Sequence, residues 1–223
     1  MPGVRAETDK EDCLIIIDVQ NDFCGGGALE VPGGAEVVAR INQLSASFAN
    51  VVLTQDWHPA DHSSFAHNHR DAAPLSTITL DYGPQTLWPR HCVQGTAGAD
   101  FHPDLLTDSA QLVLRKGFRT AIDSYSAFYE NDKTTATGLE GYLKSRGISR
   151  LFLCGLATDF CVFYSAMDAV QAGFQTYLID DACRAIDLEG SLAQAHAALR
   201  AAGVTRINSA ALATGPGSND LPE

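Results

Sequence analysis

The sequence predicts an α/β protein with a doubly wound, mostly parallel sheet of about six strands and helices on both faces. Short runs of apolar, β-branched residues alternate with stretches in which apolar residues recur at helical spacing. The runs are continuous, which is typical of strands covered on both faces by crossover helices. The chain has 223 residues. At roughly 100 to 200 residues per domain, this length predicts one domain.

The first half of the chain contains one strand–helix–strand unit. Apolar runs predict the first strand over 13–19 and the next strand over 51–54. Between them, a Pro-Gly-Gly turn at 32–34 precedes a helix. That helix is predicted from apolar residues at helical spacing, namely Val37, Val38, Ile41, Leu44 and Phe48.

The second half repeats this alternation of strand and helix. Its predicted strands lie at 112–114, 151–154, 176–179 and 204–208. Its predicted helices lie at 139–145, from 158 to a stop at Gly173, and over 188–199.

One long segment, 56–110, does not follow this rhythm. It carries most of the histidines, both tryptophans and several prolines without clear periodicity. Structureless stretches longer than about 12–15 residues are usually functional in compact domains. We therefore expect a single domain over 1–213 with a site-building insertion at 56–110, followed by a flexible tail at 214–223.

Composition excludes several classes of function. The 27 acidic residues against 15 lysines and arginines give a net charge of −12, which argues against nucleic-acid binding. No apolar stretch approaches the roughly 20 residues that a membrane helix needs. The polar N-terminus lacks a secretory signal pattern, which predicts a cytoplasmic protein whose six cysteines are free thiols.

Chemically active side chains follow the predicted strands. Asp18 ends the first strand, Asp56 and His58 follow the second, Lys116 follows the third, and Cys161 lies after the fourth. In open α/β sheets, ligands bind beyond the carboxyl ends of the strands. We therefore expect these side chains to converge on one site.

Each of these residues could have a catalytic role or an ordinary structural one. Cys161 lies near a predicted helix start, where the helix dipole favours a thiolate nucleophile, although most free cysteines are small buried hydrophobes. Asp18 suits a general base, but aspartate also serves as a cap or turn residue. Lys116 could stabilise neighbouring anions or be a solvated surface charge.

A metal site is the second hypothesis. Asp56 and His58 are two residues apart and share one face of an extended backbone, and His91 could complete a three-ligand set. Zinc, iron and manganese all accept a carboxylate with two imidazoles. The alternative is that the histidine-rich segment is simply polar. Dinucleotide, phosphate-loop and serine-elbow motifs are absent from the sequence.

Six segments together resemble the nicotinamidases, also called pyrazinamidases, of the isochorismatase-like cysteine hydrolase superfamily. In chain order they are Ile-Asp-Val-Gln-Asn-Asp-Phe at 17–23, Thr-Gln-Asp-Trp-His-Pro at 54–59, Trp-Pro-Arg-His-Cys-Val at 88–93, Lys-Gly at 116–117, Asp-Ser-Tyr-Ser-Ala-Phe at 123–128, and Gly-Leu-Ala-Thr-Asp-Phe-Cys-Val at 155–162.

The resemblance implies a set of site residues. The catalytic triad would be Asp18 as base, Lys116 as electrostatic support and Cys161 as nucleophile. An oxyanion hole would be formed by the N–H groups of Ala157 and Cys161, with a cis peptide bond between Leu156 and Ala157. The remaining implied residues are the metal ligands Asp56, His58 and His91 and the pocket residues Phe23, Trp88 and Tyr125.

The activity implied by the resemblance is hydrolysis of nicotinamide to nicotinate and ammonia within NAD salvage, with pyrazinamide as a further substrate. One divalent metal ion is implied, with zinc preferred over iron or manganese. Whether His62 or water completes the metal shell stays open, as does assembly into a homo-oligomer. The alternatives are a related cysteine hydrolase acting on another carboxamide or carbamoyl substrate, and a non-catalytic metal-binding or thiol-sensing protein.

Overall fold

The computed structural model describes residues 8–212, and within them six strands form one parallel sheet. The strands of this sheet are β1 Asp12–Ile17, β2 Val51–Asp56, β5 Leu112–Lys116, β6 Arg150–Leu156, β7 Gln175–Arg184 and β8 Thr205–Ile207. Their order across the sheet is β5-β2-β1-β6-β7-β8. The predicted fold class is confirmed. The strand order reverses between β1 and β6, and this switch point is where ligands bind in such sheets.

Four α-helices occur in the described part of the chain, close to where helical spacing predicts them. They are α1 Val37–Ser45, α2 Leu139–Ser145, α3 Phe163–Gln171 and α4 Ser191–Ala201. The last helix begins three residues later than predicted because Asp187 and Glu189 adopt positive φ angles of 55° and 51°. A left-handed residue cannot continue a right-handed helix, so the residues before Ser191 form a separate turn.

The first strand is shorter than its apolar run. Asp18 has a φ of +49°, in the left-handed region, and this turns the chain out of the sheet after Ile17. The helix predicted from 158 is likewise divided, because a π-helical turn, Thr158–Val162, precedes α3. Both irregularities lie at the carboxyl edge of the sheet, next to the switch point.

The insertion at 56–110 contains one regular element that the sequence did not predict. A two-stranded antiparallel hairpin pairs β3, Thr77–Leu80, with β4, Gly83–Thr86. The hairpin is difficult to recognise because β4 is only four residues long and contains Pro84. It stands outside the main sheet.

Burial follows the position of each strand in the sheet. Every residue of β1 and β2 is buried, as expected for interior strands covered on both faces. In the edge strand β5, half-buried and exposed residues alternate up to the buried Lys116, and Val113 is 46% exposed. All six cysteines are free, as predicted, and all six are buried.

Two sequence predictions concern the limits of the domain. The single-domain organisation over 1–213 stays a prediction, and the tail at 214–223 lies outside the described residues. Within residues 8–212, no helix is both long enough and apolar enough to cross a membrane.

Replacing Gly155 should destabilise the fold. Gly155 has a φ of +114°, and an added Cβ would collide with the carbonyl oxygen of Ile17 on β1. We expect Gly155→Ala to lower the free energy of unfolding by more than about 1 kcal/mol in urea titrations. Gly141→Ala is the control, because Gly141 lies in α2 with open space around it. There alanine should raise stability by about 0.5–1 kcal/mol. Equal stability of the two variants would contradict the assigned backbone.

Candidate active site

Four strand ends meet at the carboxyl edge of the sheet. Asp18 follows β1, Asp56 ends β2, Lys116 ends β5, and Cys161 lies in the turn after β6. All four side chains are buried, and Asp18 and Lys116 are 0% and 1% exposed. The structure therefore brings together the carboxylates, the ammonium and the thiol that the sequence placed at one edge.

Lys116 is the centre of this cluster. Its Nζ lies 2.8 Å from Oδ2 of Asp18 and 2.5 Å from Oδ1 of Asp56, and it donates a hydrogen bond to Sγ of Cys161 at 3.4 Å. A further hydrogen bond reaches the carbonyl oxygen of Ser124 at 2.9 Å. Asp18 is held from its other side, because Thr54 donates its hydroxyl to Oδ1 at 2.6 Å.

The prediction that the helix start lowers the pKa of Cys161 is wrong. Burial raises the pKa of this thiol well above its usual value; Lys116 opposes that rise, and the carboxylates of Asp18 and Asp56 add to it. Burial also raises the pKa of Asp18, although Lys116 acts against the rise. The resting thiol is therefore protonated, and Asp18 is a stronger base than an exposed carboxylate.

Asp56 also faces two histidines. Its Oδ2 lies 3.3 Å from Nε2 of His58 and 3.7 Å from Nε2 of His91. Although burial alone would raise the pKa of Asp56, Lys116 and His58 lower it well below the usual value. Asp56, His58 and His91 form a buried group whose ligand atoms lie within 4.8 Å of one another.

The histidine rings are oriented for ligation. Nδ1 of His58 lies 2.8 Å from the carbonyl oxygen of Gly117, and Nδ1 of His91 lies 2.8 Å from that of Pro89. Since a carbonyl oxygen only accepts, each Nδ1 is the donor, and the Nε2 lone pair of the neutral ring is left for a cation. Gly117 is needed here, because an added Cβ would collide with the His58 ring. The residues present therefore fit a divalent metal ion.

His62 stacks close to His58, with ring centroids 4.3 Å apart, but its nitrogens are engaged elsewhere. Nε2 lies 3.3 Å from the carbonyl oxygen of Ile122, and Nδ1 accepts a hydrogen bond from the Ser64 N–H at 3.3 Å. His62 also belongs to a second buried group, with His58 and Asp123, whose ligand atoms lie within 4.8 Å of one another. Burial lowers the pKa of His62 to about 4.

A pocket of about 340 Å³ opens onto Cys161 and the histidine cluster. This volume includes space that is open to solvent. The sequence-predicted residues Phe23, Trp88 and Tyr125 all line it. Its further lining residues, which the sequence did not single out, include Leu29, Asp123, Phe160 and Ile186.

A polar network fixes one wall of the pocket. Tyr125 accepts hydrogen bonds at its hydroxyl from Trp88 Nε1 and Gln85 Nε2, both at 3.0 Å. Gln85, carried by β4, also donates to Oδ2 of Asp123 at 2.9 Å. Asp123 stands at the start of one of the resembling segments, but its sequence context gives no sign that its carboxylate is buried.

The turn that holds the nucleophile has the backbone that the resemblance implies. The peptide bond between Leu156 and Ala157 is cis, and Ala157 lines the pocket beside Cys161. The Val162 N–H closes the π-helical turn on the carbonyl oxygen of Ala157 at 3.1 Å. The carbonyl oxygen of Cys161 accepts a hydrogen bond from the Ser165 hydroxyl at 2.6 Å.

Fold and site together define a cysteine-bearing α/β protein with its site at the switch point of a parallel sheet. The isochorismatase domain model matches residues 12–211. The chain is 55% identical to a nicotinamidase of Acinetobacter baylyi, over 94% of this chain and 98% of that protein. It therefore belongs to the isochorismatase family, among its nicotinamidases, and the resemblance read from the sequence is confirmed.

Solved structures show the same relationship. A nicotinamidase/pyrazinamidase of Acinetobacter baumanii matches with a TM-score of 0.90 and 55% identity, covering 91% of this chain and 98% of that one. A pyrazinamidase of Pyrococcus horikoshii in complex with zinc matches with a TM-score of 0.72 and 34% identity, covering 89% and 99%. A relative with this fold thus has zinc bound.

The lowered pKa of His62 should be visible in the pH dependence of stability. The unfolded chain takes up a proton near pH 6.5 and the folded protein only near pH 4, so the unfolded state binds more protons between these values. Stability should rise with pH across this window, by about 3 kcal/mol in total from this residue. The free energy of unfolding, measured by urea titration at a series of pH values, should rise more steeply with pH in metal-free wild type than in metal-free His62→Asn across this window. Parallel curves would place His62 in a more hydrated setting.

Proposed function

We propose that this protein hydrolyses nicotinamide to nicotinate and ammonia, and pyrazinamide to pyrazinoate, as a step in NAD salvage. The observation that carries the proposal is the convergence of Asp18, Lys116 and Cys161 beneath a pocket that also contains a three-ligand metal cluster. The 55% identity to a nicotinamidase of Acinetobacter baylyi supports this substrate class.

In the first half-reaction, Asp18 takes the proton of the Cys161 thiol while sulfur attacks the carboxamide carbon. The raised pKa of Asp18 supports this role, because a carboxylate with a higher pKa is a stronger base toward the thiol. The N–H groups of Ala157 and Cys161 stabilise the oxyanion. Asp18 then returns the proton to the departing nitrogen, so that ammonia leaves and a thioester remains on Cys161.

In the second half-reaction, water attacks the thioester carbon and gives its proton to Asp18. The carbon–sulfur bond breaks, the carboxylic acid is released, and Asp18 restores the proton to the Cys161 sulfur. Lys116 stays protonated throughout, because Asp18 and Asp56 outweigh the effect of burial and raise its pKa well above its usual value. Its positive charge stabilises the thiolate that forms transiently.

The pocket walls select a flat aromatic ring. Phe23, Trp88 and Tyr125 contribute aromatic surface around the pocket, and Phe160 packs against Trp88 with ring centroids 4.9 Å apart. Aromatic walls favour a planar heterocycle and orient its carboxamide toward Cys161. A ring held in this way meets the nucleophile in a reactive orientation.

Asp56, His58 and His91 would hold one divalent ion, with zinc preferred over iron or manganese, and His62 or water would complete its coordination shell. When bound, the ion would supply a Lewis acid that anchors the heterocycle nitrogen. The zinc in the Pyrococcus horikoshii structure supports this choice of metal. A cytoplasmic location and assembly into a homo-oligomer stay predictions from the sequence.

The nucleophile is tested by replacing Cys161. Purified wild-type protein should release ammonia from nicotinamide, and Cys161→Ala should lower kcat/KM by more than about 1,000-fold, because Cys161 is the only thiol among the described residues that line the pocket. Cys13→Ala is the matched control, since Cys13 is a buried cysteine at the opposite end of β1 and should leave the activity intact. Activity that survives in Cys161→Ala would rule out the thioester route. No ammonia from nicotinamide with the wild type would favour another carboxamide or carbamoyl substrate.

The metal cluster is tested separately. His58→Ala removes one ligand and should deplete bound zinc in elemental analysis and raise KM for nicotinamide at least about tenfold. His67→Ala is the control, because His67 is an exposed histidine of the same segment outside the cluster. Unchanged zinc content in His58→Ala would remove this residue from the metal site.

A further inference from the structure

The backbone of Asp56 occupies an unusual place in the sheet. β2 is an interior strand, and on its β5 side the pairing extends to Asp56 opposite Lys116. On its β1 side the paired residues end at Leu53 opposite Ile16, because Asp18 turns the chain away. Asp56 therefore has an N–H and a carbonyl oxygen on this side without a neighbouring strand, although both are buried.

Gln20 fills this gap with its side chain. Its Oε1 accepts a hydrogen bond from the Asp56 N–H, and its Nε2 donates one to the Asp56 carbonyl oxygen, both at 2.8 Å. The second Nε2 hydrogen is donated to the carbonyl oxygen of Ala99, also at 2.8 Å. Gln20 is 0% exposed. Its carboxamide thus takes the place of the backbone peptide group that β1 would supply if the strand continued alongside Asp56.

The orientation of this carboxamide is determined by its partners. A flipped amide would place N–H against N–H at Asp56 and oxygen against the oxygen of Ala99. Only the orientation with Oε1 toward the Asp56 N–H satisfies all three contacts. The two hydrogen bonds between the Gln20 side chain and the Asp56 backbone, here called the Asp56 clamp, fix both backbone polar groups of Asp56. They thereby also fix the direction in which the Asp56 side chain leaves the strand.

We propose that Gln20 is a positioning residue for the metal ligand Asp56. The Asp56 carboxylate contacts Lys116 through Oδ1 and faces the two histidines with Oδ2. That dual contact tolerates little rotation of the Asp56 backbone, and Gln20 is the group that holds this backbone on the β1 side. The inference rests on the metal role of Asp56 in the proposed function.

Gln55 provides a matched control. It is also a buried glutamine, and its Nε2 donates to the same carbonyl oxygen of Ala99 at 2.8 Å. Its Oε1, however, accepts from Arg115 at 3.1 Å, and its side chain forms no hydrogen bond with the Asp56 backbone within the described residues. A comparison of the two positions separates the loss of the Ala99 contact from the loss of the Asp56 clamp.

The experiment is a calorimetric titration of zinc into metal-stripped, full-length protein. Methionine keeps the length of glutamine without its polar groups, so Gln20→Met and Gln55→Met are compared with wild type. We expect Gln20→Met to weaken zinc binding by about 10- to 100-fold, as loss of an orienting partner does at other metal sites. Gln55→Met should bind zinc as the wild type does, with a comparable loss of thermal stability.

Gln20→Asn covers the case in which Gln20→Met does not fold. It keeps a polar amide but is one methylene too short for the clamp, so it should weaken zinc binding in the same direction. Wild-type affinity in a folded Gln20 variant, or an equal loss in Gln55→Met, would overturn the positioning role. Absence of zinc binding by the wild type would instead overturn the metal site itself, and this inference with it.

Discussion

The buried ammonium of Lys116 is the interaction on which the site depends. A charge that is 1% exposed is tolerated in a protein interior only when it is paired, and Lys116 has two carboxylates within 2.8 Å. Each carboxylate is likewise buried and relies on this cation. Because Asp18, Asp56 and Lys116 lie at the ends of three neighbouring strands, their mutual attraction also fixes how β1, β2 and β5 end. Removal of Lys116 would leave two buried carboxylates without their cation at the switch point.

Much of this arrangement can be predicted from the sequence, because its causes are local. Continuous apolar runs such as that of β1 identify interior strands, and the residue after each run is placed at the carboxyl edge by the parallel topology alone. This is why the sequence alone assigns Asp18, Lys116 and Cys161 to one site. The motifs at 54–59 and 88–93 added the histidines, since spacing alone left a polar loop as an equal alternative.

The features that were missed depend on contacts distant in sequence. Gln20 looks like any polar residue of a turn, and only the early exit of β1 from the sheet gives its carboxamide a partner in Asp56. Cys161 was expected to have a lowered pKa because helix position is visible in the sequence, whereas the burial that raises the pKa is set by packing from several elements. Gln85 reaches Asp123 through a hairpin whose short strands carry no clear pattern.

The two halves of the site share one carboxylate, that of Asp56, and this has a consequence for how variants are interpreted. Asp56 gives Oδ1 to Lys116 and turns Oδ2 toward His58 and His91, so it belongs to the nucleophile's surroundings and to the metal cluster at once. A change at Asp56 removes a metal ligand and also leaves Lys116 with only Asp18, Cys161 and the carbonyl oxygen of Ser124 among the partners described above. Changes at the histidines remove a metal ligand but leave both carboxylates in contact with Lys116. Loss of activity in an Asp56 variant therefore cannot assign that residue to either role, whereas the histidines separate the two.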